Sequence, residues 1–218
     1  MTLSRYGLRE WGIATFVALC ASGVAVWLQC WWLFIPIAIL WIAVAGFFRD
    51  PRGRRPATLN KKDLISPADG CISAIEHLDS HEATDGEAAI VVRIFLSVLN
   101  VHINRAPCDG TVEKVTHRPG KYLDARSAES AKVNESNLVI LRCNDEEPIG
   151  IKQISGAIAR RIVCPITIGQ SLQRCERFGM IKFGSTTELI VRDREGVKPM
   201  VAVGDKVRGG IDVLVTLP

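Results

Sequence analysis

The first strong pattern along the chain is an unbroken apolar run over residues 11–48, with no charged side chain and one strongly polar position, Gln29. As a single helix this run would reach about 57 Å, far beyond the ~30 Å hydrocarbon core of a bilayer. Two helices over 11–28 and 31–48 would each span it. Gln29 then falls at the bend, and Trp27, Trp31 and Trp32 gather beside it as an interfacial belt. Arg5 and Arg9 precede the run, and Arg49, Arg52, Arg54 and Arg55 follow it. Positive charge on both flanks places both ends on the cytoplasmic side, as a hairpin requires. A cleavable signal peptide would end its apolar region sooner. Val17-Ala18-Leu19-Cys20 is a poor lipoprotein site, and a re-entrant hairpin with Pro36 in its second arm stays open beside a true crossing.

After a basic, Pro- and Gly-containing linker over 49–63, suited to anionic lipid, the pattern becomes mainly β. Short Val- and Ile-rich runs over 71–75, 89–103, 111–116, 138–143, 149–154, 157–163, 180–191 and 212–217 alternate with turn signals, and helical spacing is suggested only over 123–132. Ser66-Pro67-Ala68-Asp69-Gly70 is echoed forty residues later by Ala106-Pro107-Cys108-Asp109-Gly110. Proline presets φ and Asp-Gly closes a tight turn into the following strand. The pattern predicts a mainly β, compact sandwich or barrel-like soluble domain over 64–218 with lipoyl-like turns, preceded by a membrane-anchoring helical hairpin over 1–48. A lipoyl-type carrier would present a lysine at a hairpin tip, and no lysine here has that setting. A membrane-anchored adaptor of that shape is the alternative from a different functional class.

Composition narrows the partners. Of 218 residues, 27 are basic and 23 acidic, for a net charge of +4 without long basic runs, so no nucleic-acid partner is indicated. The seven cysteines are odd in number and scattered, with no Cys-x-x-Cys pair. They read as reduced, mostly buried thiols of a domain facing the cytoplasm, neither a disulfide framework nor a zinc site.

Two stretches carry candidate chemistry. In the predicted strand 89–104, the alternating set ends in Asn100, His102 and Asn104, a polar end to an apolar face, with Arg105 and Asp109 following. Such a face suits the wall of a site. His77 and His81 stand four apart in a stretch that is a polar loop by composition, so no metal site is predicted, and His117 reads as an exposed turn residue. The second stretch is Ile181-Lys182-Phe183-Gly184-Ser185-Thr186-Thr187-Glu188-Leu189-Ile190-Val191. A hydroxyl held against its own preceding peptide bond, Gly184–Ser185, is the arrangement for self-cleavage by N→O acyl shift. The plainer alternative is a bulge glycine beside a surface serine.

Together these pieces resemble the short form of the phosphatidylserine decarboxylase proenzymes. The resemblance rests on Phe47-Phe48-Arg49-Asp50-Pro51, Ser66-Pro67-Ala68-Asp69-Gly70, Phe95-Leu96-Ser97-Val98-Leu99-Asn100-Val101-His102-Ile103-Asn104-Arg105-Ala106-Pro107, Pro119-Gly120-Lys121-Tyr122-Leu123, Asn134-Glu135, Arg161-Ile162-Val163-Cys164 and Glu176-Arg177-Phe178-Gly179-Met180-Ile181-Lys182-Phe183-Gly184-Ser185, in family order. It implies cleavage between Gly184 and Ser185 into a β chain of 1–184 and an α chain of 185–218. Ser185 would become an N-terminal pyruvoyl group through an ester, β-elimination and loss of ammonia. That covalent pyruvate would form a Schiff base with the amine of phosphatidylserine and act as electron sink while CO2 leaves, giving phosphatidylethanolamine. Activation of Ser185 needs a base, and His102 is the best placed, with Asp69 to orient it. Longer family members carry His-x-x-His-x-Pro, with the second histidine assigned to the relay; here His102 matches the first position and Arg105 the second. Whether His102 drives cleavage, protonates the decarboxylated carbon or does both stays open. Arg105, with Asn100 and Asn104, would contact substrate, and Thr186 would help position the cut bond. Expected partners are phosphatidylserine and anionic lipid at the cell membrane. Archaetidylserine is an alternative substrate, and a homodimer is left open.

Overall fold

The computed structural model describes every residue except 1, 58, 59, 125, 128, 144–146, 158–160, 183 and 184. The chain divides into two units, Met1–Arg52 and Gly53–Pro218. In the first, α1 (Leu8–Trp27) and α2 (Phe34–Phe47) form an antiparallel pair, with Trp41 Nε1 donating to Thr15 Oγ1 across it at 2.9 Å. The bend falls at Gln29, which takes a left-handed φ of 54°. Phe16, Leu19, Ile35 and Leu40 point outward, each at least 66 % exposed, the reverse of a helix pair built for water. Arg5–Trp27 is long and apolar enough to cross a membrane, whereas Trp31–Phe47 is shorter than the span expected of the second arm.

Among its described residues the second unit has fourteen strands: β1 (Asp63–Ile65), β2 (Gly70–Leu78), β3 (Ala89–Leu96), β4 (Ile103–Arg105), β5 (Gly110–Arg118), β6 (Ser136–Cys143), β7 (Pro148–Ser155), β8 (Arg161–Val163), β9 (Ser171–Leu172), β10 (Arg177–Lys182), β11 (Ser185–Arg192), β12 (Lys198–Pro199), β13 (Lys206–Val207) and β14 (Val213–Thr216). A curled eight-stranded sheet runs β9-β5-β6-β7-β11-β3-β2-β13. Two three-stranded sheets, β8-β10-β4 and β12-β14-β1, complete the fold. Every pairing is antiparallel, so side chains alternate between two faces along each strand. One face of the large sheet carries Val92, Ile94, Leu96, Ile149, Leu189 and Val191 into the main core.

The other face holds a charged cluster. Glu188, 4 % exposed in β11, accepts from Arg93 Nε at 2.7 Å, and Arg93 also donates to Glu76 at 2.9 Å. Lys152 lies 4.0 Å from Glu188. Removing one member of a buried pair strands the other's charge in low dielectric. Glu188→Ala leaves Arg93 its Glu76 partner and is expected to destabilise this unit by about 1.5–3 kcal/mol, the loss of a charged hydrogen bond, read as a lower denaturant midpoint by far-UV circular dichroism, with Glu188→Gln losing less. An unchanged midpoint for Glu188→Ala would contradict this account.

Several expectations are corrected. The strand expected over 89–103 ends at Leu96, because residues 97–100 turn: Asn100 Oδ1 accepts from Ser97 N and Ser97 Oγ at 2.9 and 2.7 Å. The chain resumes as β4 in a different sheet, so the alternating face read through Val98, Asn100 and His102 is not one ladder. The helix expected over 123–132 is reduced to one turn, Ser130–Val133. His77 and His117 lie in β2 and β5, against Asp193 at 2.6 Å and Glu135 at 3.7 Å. Cys108 and Cys143 form a disulfide, overturning the expectation of seven free thiols. Their 35-residue separation hides the pairing in sequence; the register placing Gly110 opposite Cys143 brings Cys108, two residues earlier, beside it. Of the free cysteines Cys20, Cys30, Cys71, Cys164 and Cys175, only Cys175 is buried.

Candidate active site around Ser185

The large sheet's inner face changes character along its length. In β11 it reads Val191, Leu189, Thr187, Ser185; in β7 it reads Ile149, Ile151, Gln153, Ser155. Opposed residues of an antiparallel pair share a face, so the polar ends of these strands coincide. Ser185 opens β11, is fully buried, and stands in register with Leu96 of β3 and Ser155 of β7. The Oγ atoms of both serines are buried without a hydrogen-bond partner. A buried hydroxyl left unpaired costs about 1–3 kcal/mol. Two at one ladder position are not explained by stability. Between Lys182 and Ser185 the chain passes from the β8-β10-β4 sheet to the eight-stranded one. Gly184, the expected partner of Ser185 in the cleaved bond, lies outside the described residues, as does Phe183.

His102 is fully buried at the entrance to β4, and its Nδ1 lies 2.9 Å from the Asn100 carbonyl oxygen. A carbonyl only accepts, so in the neutral ring Nδ1 carries the proton and Nε2 keeps its lone pair. The His102 carbonyl accepts from Ile181 N at 3.2 Å, and Asn104 Nδ2 donates to Thr187 Oγ1 at 3.1 Å. These two bonds strap the β4 segment across the chain on both sides of Ser185. Asn104 is held in turn: Gln153 Nε2 donates to its Oδ1 at 2.9 Å, and Asn137 Nδ2 donates to Gln153 Oε1 at 3.1 Å. Gln153 reaches in because Gly179 has no side chain; a Cβ there would come within 2.9 Å of Gln153 Nε2. At the edge of this network, burial pushes the Cys164 thiol up to about 11, so it stays neutral at ordinary pH.

Three expected site residues have further partners. Arg54 binds both oxygens of Asp69 (Nη2 to Oδ2 at 2.8 Å), and Gly209 N donates to Oδ1 at 2.9 Å. His102 Nδ1 is held by the Asn100 main chain. Asn100's side chain caps the 97–100 turn. Arg105, 4 % exposed, donates to the Cys175 carbonyl at 3.1 Å and lines a separate cavity. Thr186 is buried beside Ser185, in register with Phe95 and Ile154. Sequence reasoning missed Ser155, Gln153, Asn137 and Thr187. The signal was present in β7, where an alternating apolar set turns polar at its end as it does before Asn104.

A cleft of about 680 Å³ opens at the end of β3. Phe95 and Ser97 line it and flank Leu96, the ladder partner of Ser185. Asp69, Asn100, Lys206, Arg208 and Asp212 line it too, with Arg208 ion-paired to Asp212 at 3.0 Å.

Comparison with known proteins shows the family. A family model described as phosphatidylserine decarboxylase matches residues 41–215. Among similar curated proteins, the phosphatidylserine decarboxylase proenzyme of Rhodopirellula baltica is 43 % identical over 96 % of this chain and 85 % of its own length. Those of Ralstonia nicotianae and Desulfotalea psychrophila are each 37 % identical, over 94 % and 97 % of this chain and 89 % and 95 % of their own. The match spans both the Ser185 strand and the segment that straps it, and the chain belongs to the phosphatidylserine decarboxylase family.

Proposed function

We propose that this chain is a self-processing proenzyme which cuts itself between Gly184 and Ser185 and then decarboxylates phosphatidylserine to phosphatidylethanolamine and CO2. The observation that carries this reading is the buried, unpartnered hydroxyl of Ser185 at the head of a central strand. With no partner to hold it, that oxygen is available for attack on the preceding carbonyl. His102 Nε2 accepts the serine proton as the attack proceeds, while the Asn100 carbonyl keeps the ring in the required tautomer. Asn104, through Thr187, fixes the start of β11 during the rearrangement.

The fold accommodates a break at this point. β11 is in register with β3 at eight positions and with β7 at six, so the α chain stays in the sheet after scission. A pyruvoyl group made from Ser185 supplies a ketone for the substrate amine and an electron sink for the departing carboxylate. Around it, Lys206 attracts the lipid's anionic head group, and the apolar core beneath excludes water. His102 is the proton carrier for the carbon left by CO2. In this reading α1 and α2 hold the protein in the cell membrane, with the catalytic unit on the cytoplasmic side, consistent with the flanking arginines.

The test is to purify the full chain, measure intact mass and incubate it with phosphatidylserine vesicles. Expected are two chains, 1–184 and a carbonyl-blocked 185–218, together with phosphatidylethanolamine and CO2. A single uncut, inactive chain after prolonged incubation would remove the proposal. Turnover of archaetidylserine in preference to phosphatidylserine would keep the chemistry and change the lipid.

A further inference from the structure

We propose that Ser155 supplies the hydrogen bond that lets Ser185 Oγ leave in the elimination step, an inference that rests on the self-cleavage reading above. Ser185 stands between two ladder partners, Leu96 of β3 and Ser155 of β7, on one face of the eight-stranded sheet. Leu96 is fully buried and its side chain has no polar atom. A donor from the neighbouring strands to Ser185 Oγ therefore comes from the β7 side. Two residues further along the same face, Thr187 and Gln153 are already bonded to Asn104. Ser155 Oγ is buried with no hydrogen-bond partner among the described residues. Its main chain, in contrast, is held on both sides. Its N–H donates to the Glu135 carbonyl at 2.9 Å, and its carbonyl accepts from Asn134 Nδ2 at 2.8 Å. The Asn134-Glu135 pair thus fixes the backbone that carries the hydroxyl and leaves the hydroxyl uncommitted. Directly opposed residues of an antiparallel pair have Cβ atoms about 4.5–5.5 Å apart, a gap that rotation about the two Cα–Cβ bonds can close to a hydrogen bond.

The chemistry calls for such a donor at one step. Before cleavage Ser185 Oγ carries its own hydrogen. Once the N→O shift has joined Oγ to the Gly184 carbonyl carbon, that hydrogen has passed through His102 to the freed amine, and Oγ can only accept. In the elimination His102 Nε2 takes the Ser185 Cα proton, and the electrons of that bond form a Cα=Cβ double bond. The Cβ–Oγ bond breaks with its electron pair going to Oγ. Gly184 leaves as a carboxylate, and residue 185 becomes dehydroalanine. Negative charge thus builds on Oγ in a buried site, where a donor fixed in advance stabilises it far more than in water. A donor left unsatisfied in the precursor and satisfied at this step raises the energy of the first and lowers that of the transition state.

Cell-free synthesis of the full chain in nonionic detergent gives a defined start, and intact mass follows the products with and without hydroxylamine, which cleaves esters. Wild type is expected to yield 1–184 and a carbonyl-blocked 185–218. Ser155→Ala is expected to form the blocked 185–218 about 10²-fold more slowly, the effect of losing one positioned donor. Because the ester still forms, hydroxylamine cuts this variant at least as fast as the wild type. The products are then 1–184 as its hydroxamate and 185–218 with a free N-terminal serine. In the uncut Ser185→Ala background, adding Ser155→Ala leaves the denaturation midpoint no lower, which a structural role for the hydroxyl would not allow. Blocked 185–218 formed at the wild-type rate overturns the proposal. So does slow processing without hydroxylamine cleavage, which puts Ser155 before the ester, or a lowered midpoint in the Ser185→Ala background. A wild-type chain that stays whole with and without hydroxylamine removes the self-cleavage reading, and this proposal with it, before any variant is compared.

Discussion

Ser185→Ala is expected to yield one uncut chain with no decarboxylase activity and undiminished stability. The first two effects follow from chemistry: alanine has no oxygen to attack the Gly184 carbonyl and cannot be converted to a ketone. The third follows from structure. A buried polar atom destabilises when it is unpaired, and Ser185 Oγ has no partner. Its removal relieves a penalty of up to about 1–3 kcal/mol, offset by a small void. Intact-mass measurement, a phosphatidylserine assay and far-UV denaturation curves check the three parts. An active or self-cleaved Ser185→Ala protein would sink the processing mechanism. A marked loss of stability would show that the hydroxyl makes a structural bond, in conflict with the unpaired geometry.

The second large effect is expected at His102. Replacing it by alanine removes the lone pair at Nε2, and general-base assistance is worth roughly 10²–10⁴ in rate. Separation into 1–184 and 185–218, followed by mass over time, should slow by a factor in that range. The ring is fully buried, so the substitution also leaves a cavity and lowers stability. His102→Gln separates the two causes: it fills most of the space and keeps a donor for the Asn100 carbonyl, but supplies no base. Slow processing in both variants supports proton transfer by His102. Normal processing in His102→Gln would assign the ring a packing role alone.

The two residues differed in how far local sequence revealed them. The Gly184-Ser185 pair interrupts a β-rich stretch, and a reader of the sequence finds it directly. Asn100, His102 and Asn104 were found by treating 89–104 as one strand, yet the chain turns at 97–100. His102 and Asn104 nonetheless bond to Ile181 and Thr187, on either side of Ser185 in the chain, because β4 pairs with β10, the strand that leads to the proposed cleavage segment. Asp69 shows the opposite outcome. Its Pro-x-Asp-Gly turn is evident in sequence, and its carboxylate goes to Arg54 and the Gly209 amide. No local pattern announces a partner 140 residues away in the chain.

By itself the sequence determined the apolar helical pair, the β-rich character of the second unit, the turn positions and the serine on which the proposed chemistry rests. Those features are written in periodicity, turn residues and motif, and each depends on neighbours a few positions away. The tertiary structure decided which polar strand ends coincide, which carbonyl holds His102, where Arg105 points and which two cysteines join. Each of these depends on strand register and sheet order, which bring together residues tens of positions apart. In a sheet that register is set by packing one apolar face against a core, and only the folded chain fixes it.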